Sequence, residues 1–262
     1  MKSVVLITAF RVTDFIDRFA GLMARQEFVR ETLGSVCGDP LWIWTRHSRD
    51  PNAPVIFLSA GIHGDERCGP EALLRLVENW TFSNRFDWVI APLLNPSGFR
   101  QGTRCNEDGT DLNRDFLRCQ CLETRALMDW WRRQPKSCDL HLSLHEDWEA
   151  EGFYLYEIDT SSRESLAARI LAQVAETTVL QETGPVDGHQ LTAPGLIVHA
   201  PEPDEADGWP EAIWLARTWP LQSYTFEAPG QQSCEVRVEG LLAACRGALE
   251  LVEERTGCGE NS

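Results

Sequence analysis

The stretch Gly61-Ile62-His63-Gly64-Asp65-Glu66 sets an imidazole and a carboxylate three residues apart among glycines, directly after the apolar run 55–60. Both groups are ordinary zinc ligands, and in a bend this spacing lets the side chains turn toward one point. By itself the pair reads equally well as a polar turn. A metal site needs a further ligand, and CDLHLSLHED (138–147) offers His141 and His145. On an extended strand these share a face but lie roughly 13 Å apart. With bonds of about 2 Å, one ion cannot take both. His145 stands where the chain turns acidic at Glu146 and Asp147, whereas His141 falls mid-strand, where a core role is expected. His145 is therefore the expected third ligand.

RQGTRCNEDGTDLNRDF (100–116) concentrates Arg104, Asn113 and Arg114 in a glycine-bearing loop after the turn signal Asn95-Pro96-Ser97-Gly98. Arginine is a planar, permanently charged fork suited to carboxylates and to negative charge developing on a carbonyl oxygen. Asp111 can take the outward ring proton of a ligating histidine and so fix its orientation. Arg100 and Arg118 read as surface charges. SYTFEAPG (223–230) runs an apolar strand into Glu227, which inside a site could serve as a general base; in isolation it would be an exposed strand end.

These residues need elements that bring them together. Runs 41–46, 55–60, 87–94, 138–145, 152–158 and 222–227 read as strands. Residues 68–80, 121–133, 162–178 and about 234–254 read as helices, the first with a stripe of Leu73, Leu74, Leu76 and Val77. A Pro/Gly-rich acidic connector spans 183–211, and the N-terminal MKSVVLITAF reads as a strand or entry segment. The alternation predicts a mixed, mainly parallel sheet with helices on both faces, and sites in such sheets gather beyond the carboxyl ends of the strands. No repeat or linker divides residues 1–262, so one catalytic domain is expected.

The formal charge of −16 argues against a duplex nucleic-acid binder, which needs clustered Lys and Arg. No run approaches the ~18 apolar residues of a membrane span. Nine irregularly spaced cysteines, without a CxxC pair, read as reduced thiols. With no signal-peptide pattern at the start, a cytoplasmic protein is expected.

Taken together, the pieces resemble the zinc carboxypeptidases (M14-like). The matches are His63-Gly-Asp-Glu66, Asn95-Pro-x-Gly98, the arginine ahead of Asp111-Leu-Asn-Arg114, Ser143-Leu-His145 and Thr225-Phe-Glu227, in the family's order over roughly residues 55–230. ETRAL (123–127) resembles the helix after the Asn-Arg motif of bacterial members. The resemblance implies a three-layer α/β/α fold with a mixed, roughly eight-stranded twisted sheet. It implies one zinc ion on His63, Glu66 and His145, with Arg104 polarising the scissile carbonyl. Asn113 and Arg114 would hold the substrate's terminal carboxylate, with Asp111 behind a ligand and Glu227 as the base. The implied reaction is hydrolysis of the C-terminal amide of a small peptide, as in the short murein-peptide amidases. The nearest alternative is an N-acyl amino acid deacylase of the aspartoacylase and succinylglutamate desuccinylase type. A third is a non-catalytic binding protein on the same scaffold. One departure stands out: no tyrosine lies between Tyr156 and Tyr224, where the classical enzymes place a substrate-contacting one. Trp209 and His189 lie in the corresponding connector.

Overall fold

The run Val55–Ala60 is buried at every position, the pattern of a strand covered on both faces. It sits near the middle of an eight-stranded sheet in a computed structural model that describes residues 11–257. The N-terminal segment read as a strand lies outside the described residues. In chain order the elements are α1 (Val12–Arg25), β1 (Val29–Val36), β2 (Asp39–Arg46), β3 (Val55–Ala60), α2 (Cys68–Asn79), β4 (Asp87–Ala91) and α3 (Pro96–Gln101). A 3-10 turn at Leu112–Arg114 precedes α4 (Leu122–Arg132), β5 (Leu140–Asp147), β6 (Tyr154–Asp159) and α5 (Ala167–Val174). Then come β7 (Leu196–Val198), α6 (Glu211–Thr218), β8 (Gln222–Pro229) and α7 (Cys234–Gly257).

The strand order is β1-β2-β4-β3-β5-β8-β6-β7. β4, β3, β5 and β8 run parallel to one another; β2 joins β4, β1 joins β2 and β6 joins β8 antiparallel, and β7 lies parallel to β6. Side chains alternate across this sheet, so each strand feeds two cores. Ile56, Leu58, Leu142 and Tyr224 pack beneath α1, α2, α5 and α7, with Phe15, Leu73, Ile170 and Leu241. On the other face Phe57, Val89 and Ile158 pack against α4 and α6 through Leu127, Trp131 and Trp214. The expected three-layer α/β/α arrangement is the one found.

Several boundaries differ from expectation for local reasons. Asn95-Pro96-Ser97-Gly98 does not simply turn; it starts α3. The Asn95 side chain caps the Gly98 amide at 2.8 Å, and proline occupies the first turn, where it needs no donor. The expected strand 87–94 accordingly ends at Ala91. Within the 183–211 connector β7 pairs with β6, and α6 opens at Glu211. The expected helix 162–178 is ordered as α5 over Ala167–Val174 alone. Among the described residues no helix is long and apolar enough to cross a membrane. The eight described cysteines are all free thiols.

Candidate metal centre and its cavity

Parallel β3, β5 and β8 deliver their carboxyl ends to one edge of the sheet, and the proposed chemistry collects there. The chain leaves β3 through Gly61, whose φ of +65° is the left-handed conformation that favours glycine. Gly64 is needed for a different reason: a Cβ there would lie 1.9 Å from the Gly98 carbonyl carbon. The bend thus presses against the start of α3, and Asn95 braces the far side by donating Nδ2 to the Arg104 carbonyl at 3.2 Å.

His63, Glu66 and His145 are all buried, and each places one potential ligand atom within 4.8 Å of the other two. His63 Nδ1 meets Glu66 Oε1 at 2.5 Å, and His145 Nδ1 meets Glu66 Oε2 at 3.0 Å. The outward ring nitrogens are also held. His63 Nε2 reaches Asp111 Oδ1 at 3.2 Å, and His145 Nε2 reaches the Ser143 hydroxyl at 3.1 Å. Asp111 in turn accepts from Arg104 Nε at 2.9 Å and from the Asn113 amide at 2.9 Å. Two imidazoles and a carboxylate, converging and oriented from behind, are a donor set that fits zinc.

The charges follow this packing. Burial opposes a proton on His63, but Glu66, and then Asp111, outweigh it and raise the pKa to about 9. Burial likewise opposes charge on Glu66, yet His63 and His145 hold its carboxyl well below the ordinary range. Asp111 is depressed too, its burial overcome chiefly by His63 and then Arg104. Glu227 goes the other way: burial pushes its carboxyl well above the ordinary range, countered by His145 and reinforced by Glu66.

His141 is fully buried and belongs to a different network. It contacts Ser59 Oγ at 3.0 Å, Ser223 Oγ at 2.9 Å and Glu211 Oε2 at 3.3 Å, and stacks on Phe57. Ser59 donates to Glu211 at 2.7 Å and lies 3.2 Å from Ser143, which reaches His145. This polar seam joins β3, β5, β8 and the first residue of α6. Glu211 also receives structure from the loop below, since its amide donates to Asn113 Oδ1 at 2.9 Å. Its second carboxylate oxygen, Oε1, is buried without a hydrogen-bond partner.

A cavity of about 360 Å³ opens over the cluster. It is lined by His63, Glu66, His145, Arg104, Asn113, Arg114 and Glu227, so seven of the sequence-predicted residues meet in one place. Asp111 stands behind them, and Trp209 is absent from the lining, where its neighbours Gly208 and Pro210 appear. Sequence reasoning missed Tyr154, Tyr156, Asp187, His199, Asp204 and Glu211, which also line the cavity. The tyrosines were visible as alternate residues of the strand GFYLYEI. The others carry no local pattern and reach the cavity through the fold of the connector.

The family model for the succinylglutamate desuccinylase/aspartoacylase catalytic domain matches residues 52–194. The chain belongs to that family. This is the group that the sequence motifs placed beside the M14-like carboxypeptidases, and carboxypeptidases appear among the relatives. Carboxypeptidase SOL1 of Arabidopsis thaliana is 35% identical over 134 residues, covering 41% of this chain and 27% of that protein. Carboxypeptidase B of Helicoverpa zea is 38% identical over 65 residues, covering 22% and 15%. The chain thus spans about a quarter or less of the curated relatives it matches.

The fold is shared more widely. A candidate metallopeptidase from Shewanella amazonensis superposes with a TM-score of 0.81 at 23% identity, covering 96% of this chain and 97% of that one. A metallo-carboxypeptidase from Pseudomonas aeruginosa, in complex with (2-guanidinoethylmercapto)succinic acid, gives 0.65 at 19% identity, covering 91% and 69%. The expected zinc-carboxypeptidase-like fold is therefore borne out.

Proposed function

We propose that the protein is a zinc-dependent hydrolase of the carboxypeptidase type, cleaving the C-terminal amide bond of a small peptide. The observation that carries this reading is the convergence of His63, Glu66 and His145 in one cavity with Glu227, Arg104 and the Asn113-Arg114 pair. A zinc ion held by the first three would supply Lewis acidity toward the scissile carbonyl and lower the pKa of a water.

The rest falls to this chain's own residues. Asn113 turns its carbonyl oxygen to the Glu211 amide, so what it offers a ligand is its NH2 donor. Beside it, Arg114 supplies the charged fork for a terminal carboxylate. Arg104, tied to Asp111 and 3.5 Å from Glu66, offers positive charge to the carbonyl oxygen as the carbon becomes tetrahedral. Glu227 accepts a proton from the attacking water and delivers it to the leaving amine nitrogen as the C–N bond breaks. Its raised affinity for a proton suits both halves of that transfer. Glu211 lines the cavity with its buried Oε1 unpartnered, and this carboxylate favours a cationic or donor-bearing side chain on the departing residue.

A second reading, deacylation of an N-acyl amino acid, is favoured by the family match itself. It uses the same carboxylate clamp and base, and differs in what lies on the acyl side. Short peptides ending in Lys, Arg, Leu or Glu, assayed beside N-acetyl and N-succinyl amino acids with the zinc-loaded protein, separate the two. Turnover of peptides is expected, fastest with a basic terminal residue. Turnover of acyl amino acids alone would overturn the peptidase reading.

A further inference from the structure

We infer that His189, His199 and Asp204 form a second divalent-cation site, of a chemistry suited to zinc, on the connector wall of the same cavity. Their potential ligand atoms lie within 4.8 Å of one another, and all three residues line the cavity that holds the first cluster. The inference does not depend on the hydrolytic reading.

The backbone fixes two of the three. His189 exchanges both backbone hydrogen bonds with Val186, at 3.0 and 2.8 Å, and so closes a tight turn. His199 follows directly on β7, its amide donating to the Glu157 carbonyl of β6 at 2.9 Å. Asp204 then folds back over both rings. Its Oδ2 lies 3.3 Å from His189 Nε2 and its Oδ1 lies 3.3 Å from His199 Nε2. The ring centroids stand 5.0 Å apart, and Tyr156 packs its ring against both, at 5.5 and 6.1 Å. The Tyr156 hydroxyl is itself anchored on Asp187 at 3.1 Å.

The tautomer is what points to a cation. His199 Nδ1 lies 2.6 Å from the Ala200 carbonyl oxygen, which can only accept. Nδ1 therefore carries the hydrogen, and the neutral ring presents a bare lone pair at Nε2. That lone pair faces a carboxylate oxygen, so two acceptors would confront each other unless positive charge lies between them. Either a second ring proton or a bound cation supplies that charge, and metal stoichiometry tells them apart. An imidazole tied through one nitrogen to a backbone carbonyl, with the other turned toward a carboxylate, is the arrangement of a metal ligand. Two nitrogen donors and one carboxylate suit zinc better than magnesium or calcium, which prefer oxygen throughout. The side chains of His189, His199 and Asp204 are 22%, 15% and 64% exposed, so an ion can enter from the cavity side.

The test is metal stoichiometry. The purified full chain is stripped with a chelator, reloaded with zinc, gel-filtered and analysed by plasma mass spectrometry, with circular dichroism as the folding check. Two zinc ions per chain are expected in the wild type, and one in each of His199→Ala, Asp204→Asn and His145→Ala. None is expected in His145→Ala combined with Asp204→Asn. Asp204→Asn alters an exposed side chain of nearly equal shape, so its effect on metal cannot be put down to unfolding. One zinc in the wild type that disappears in His145→Ala overturns the inference, as do two that persist in both connector variants. One zinc that survives His145→Ala but is lost in Asp204→Asn upholds this site and instead defeats the hydrolytic reading of the other.

Discussion

His145 and Glu227 are direct partners in the parallel register of β5 and β8, with Tyr154 of β6 on the far side of Glu227. The proposed ligand and the proposed base thus share one rung of the sheet, spaced by backbone hydrogen bonds rather than by a mobile loop. Replacing Glu227 with glutamine keeps this rung and the shape of the cavity but removes the proton acceptor. Glu227→Gln should retain its zinc while hydrolysis falls by about 10²–10⁴-fold, the usual scale of general-base loss. Zinc content and kcat on the best peptide report the two effects separately, and a rate near that of wild type would remove Glu227 from the mechanism.

The two histidines of β5 should respond in opposite ways. His145→Ala removes a nitrogen facing Glu66 and is expected to release the metal of that cluster while the fold persists. His141→Ala strips Ser223 of its imidazole partner, leaves Ser59 and Glu211 with only each other and Ser143, and opens a hole beside Phe57. It should keep the metal and lose stability, by about 1–3 kcal/mol for the stranded polar groups. Metal analysis and urea unfolding of both variants decide the matter; the reverse pattern would make His141 the ligand.

Proton release should accompany metal binding. Ligating imidazoles bind metal only when neutral, and in the metal-free protein His63 holds its proton up to about pH 9. Zinc binding near neutral pH should therefore expel about one proton from His63. Apparent affinity should climb with pH and level off near pH 9. Glu66, already ionised, should add nothing to this slope. The raised value also means that His63 stabilises the metal-free fold below its unfolded pKa of about 6.5, a contribution that fades as pH rises through about 9. Calorimetry in two buffers of different ionisation enthalpy measures the proton count; a count of zero at pH 7.5 would contradict the assignment.

The sheet and the first cluster were legible because their signals are short in range. A nearly continuous apolar run marked β3, a glycine-flanked His-x-x-Glu marked its exit, and the rise along an extended strand, with the acidic turn at its end, separated His145 from His141. Other parts depended on contacts that no local pattern records. Asn95-Pro96-Ser97-Gly98 looks like a turn until its side-chain cap is seen. Glu211 opens a helix inside a stretch that reads as linker and meets Ser59, 152 residues away. His199 reaches the cavity wall from the end of the short β7, which pairs with β6. By contrast α1 was readable and overlooked, since Val12, Phe15, Ile16, Phe19, Leu22 and Met23 form a plain helical stripe.

Gly64 should tolerate no side chain. A Cβ would meet the backbone of Gly98 and Phe99 at 1.9–2.5 Å, and neither can yield without moving α3. Gly64→Ala should therefore shift the bend that carries His63 and Glu66, lowering both melting temperature and zinc content. An alanine variant with both at wild-type values would show that the two segments are not in contact.

The carboxylate clamp gives the most specific prediction. Arg114 lines the cavity beside Asn113, and a charge-assisted bond to a ligand is worth about 1.5–3 kcal/mol. Arg114→Ala should then lower kcat/KM by about 10–150-fold. A peptide whose terminal carboxylate is replaced by an amide loses the same bond from the other side. With wild-type protein the amidated peptide should suffer a similar penalty, and with Arg114→Ala it should suffer little more. Strict additivity of the two losses would mean that Arg114 and the terminal carboxylate never meet, and would move the substrate's anchor elsewhere in the cavity.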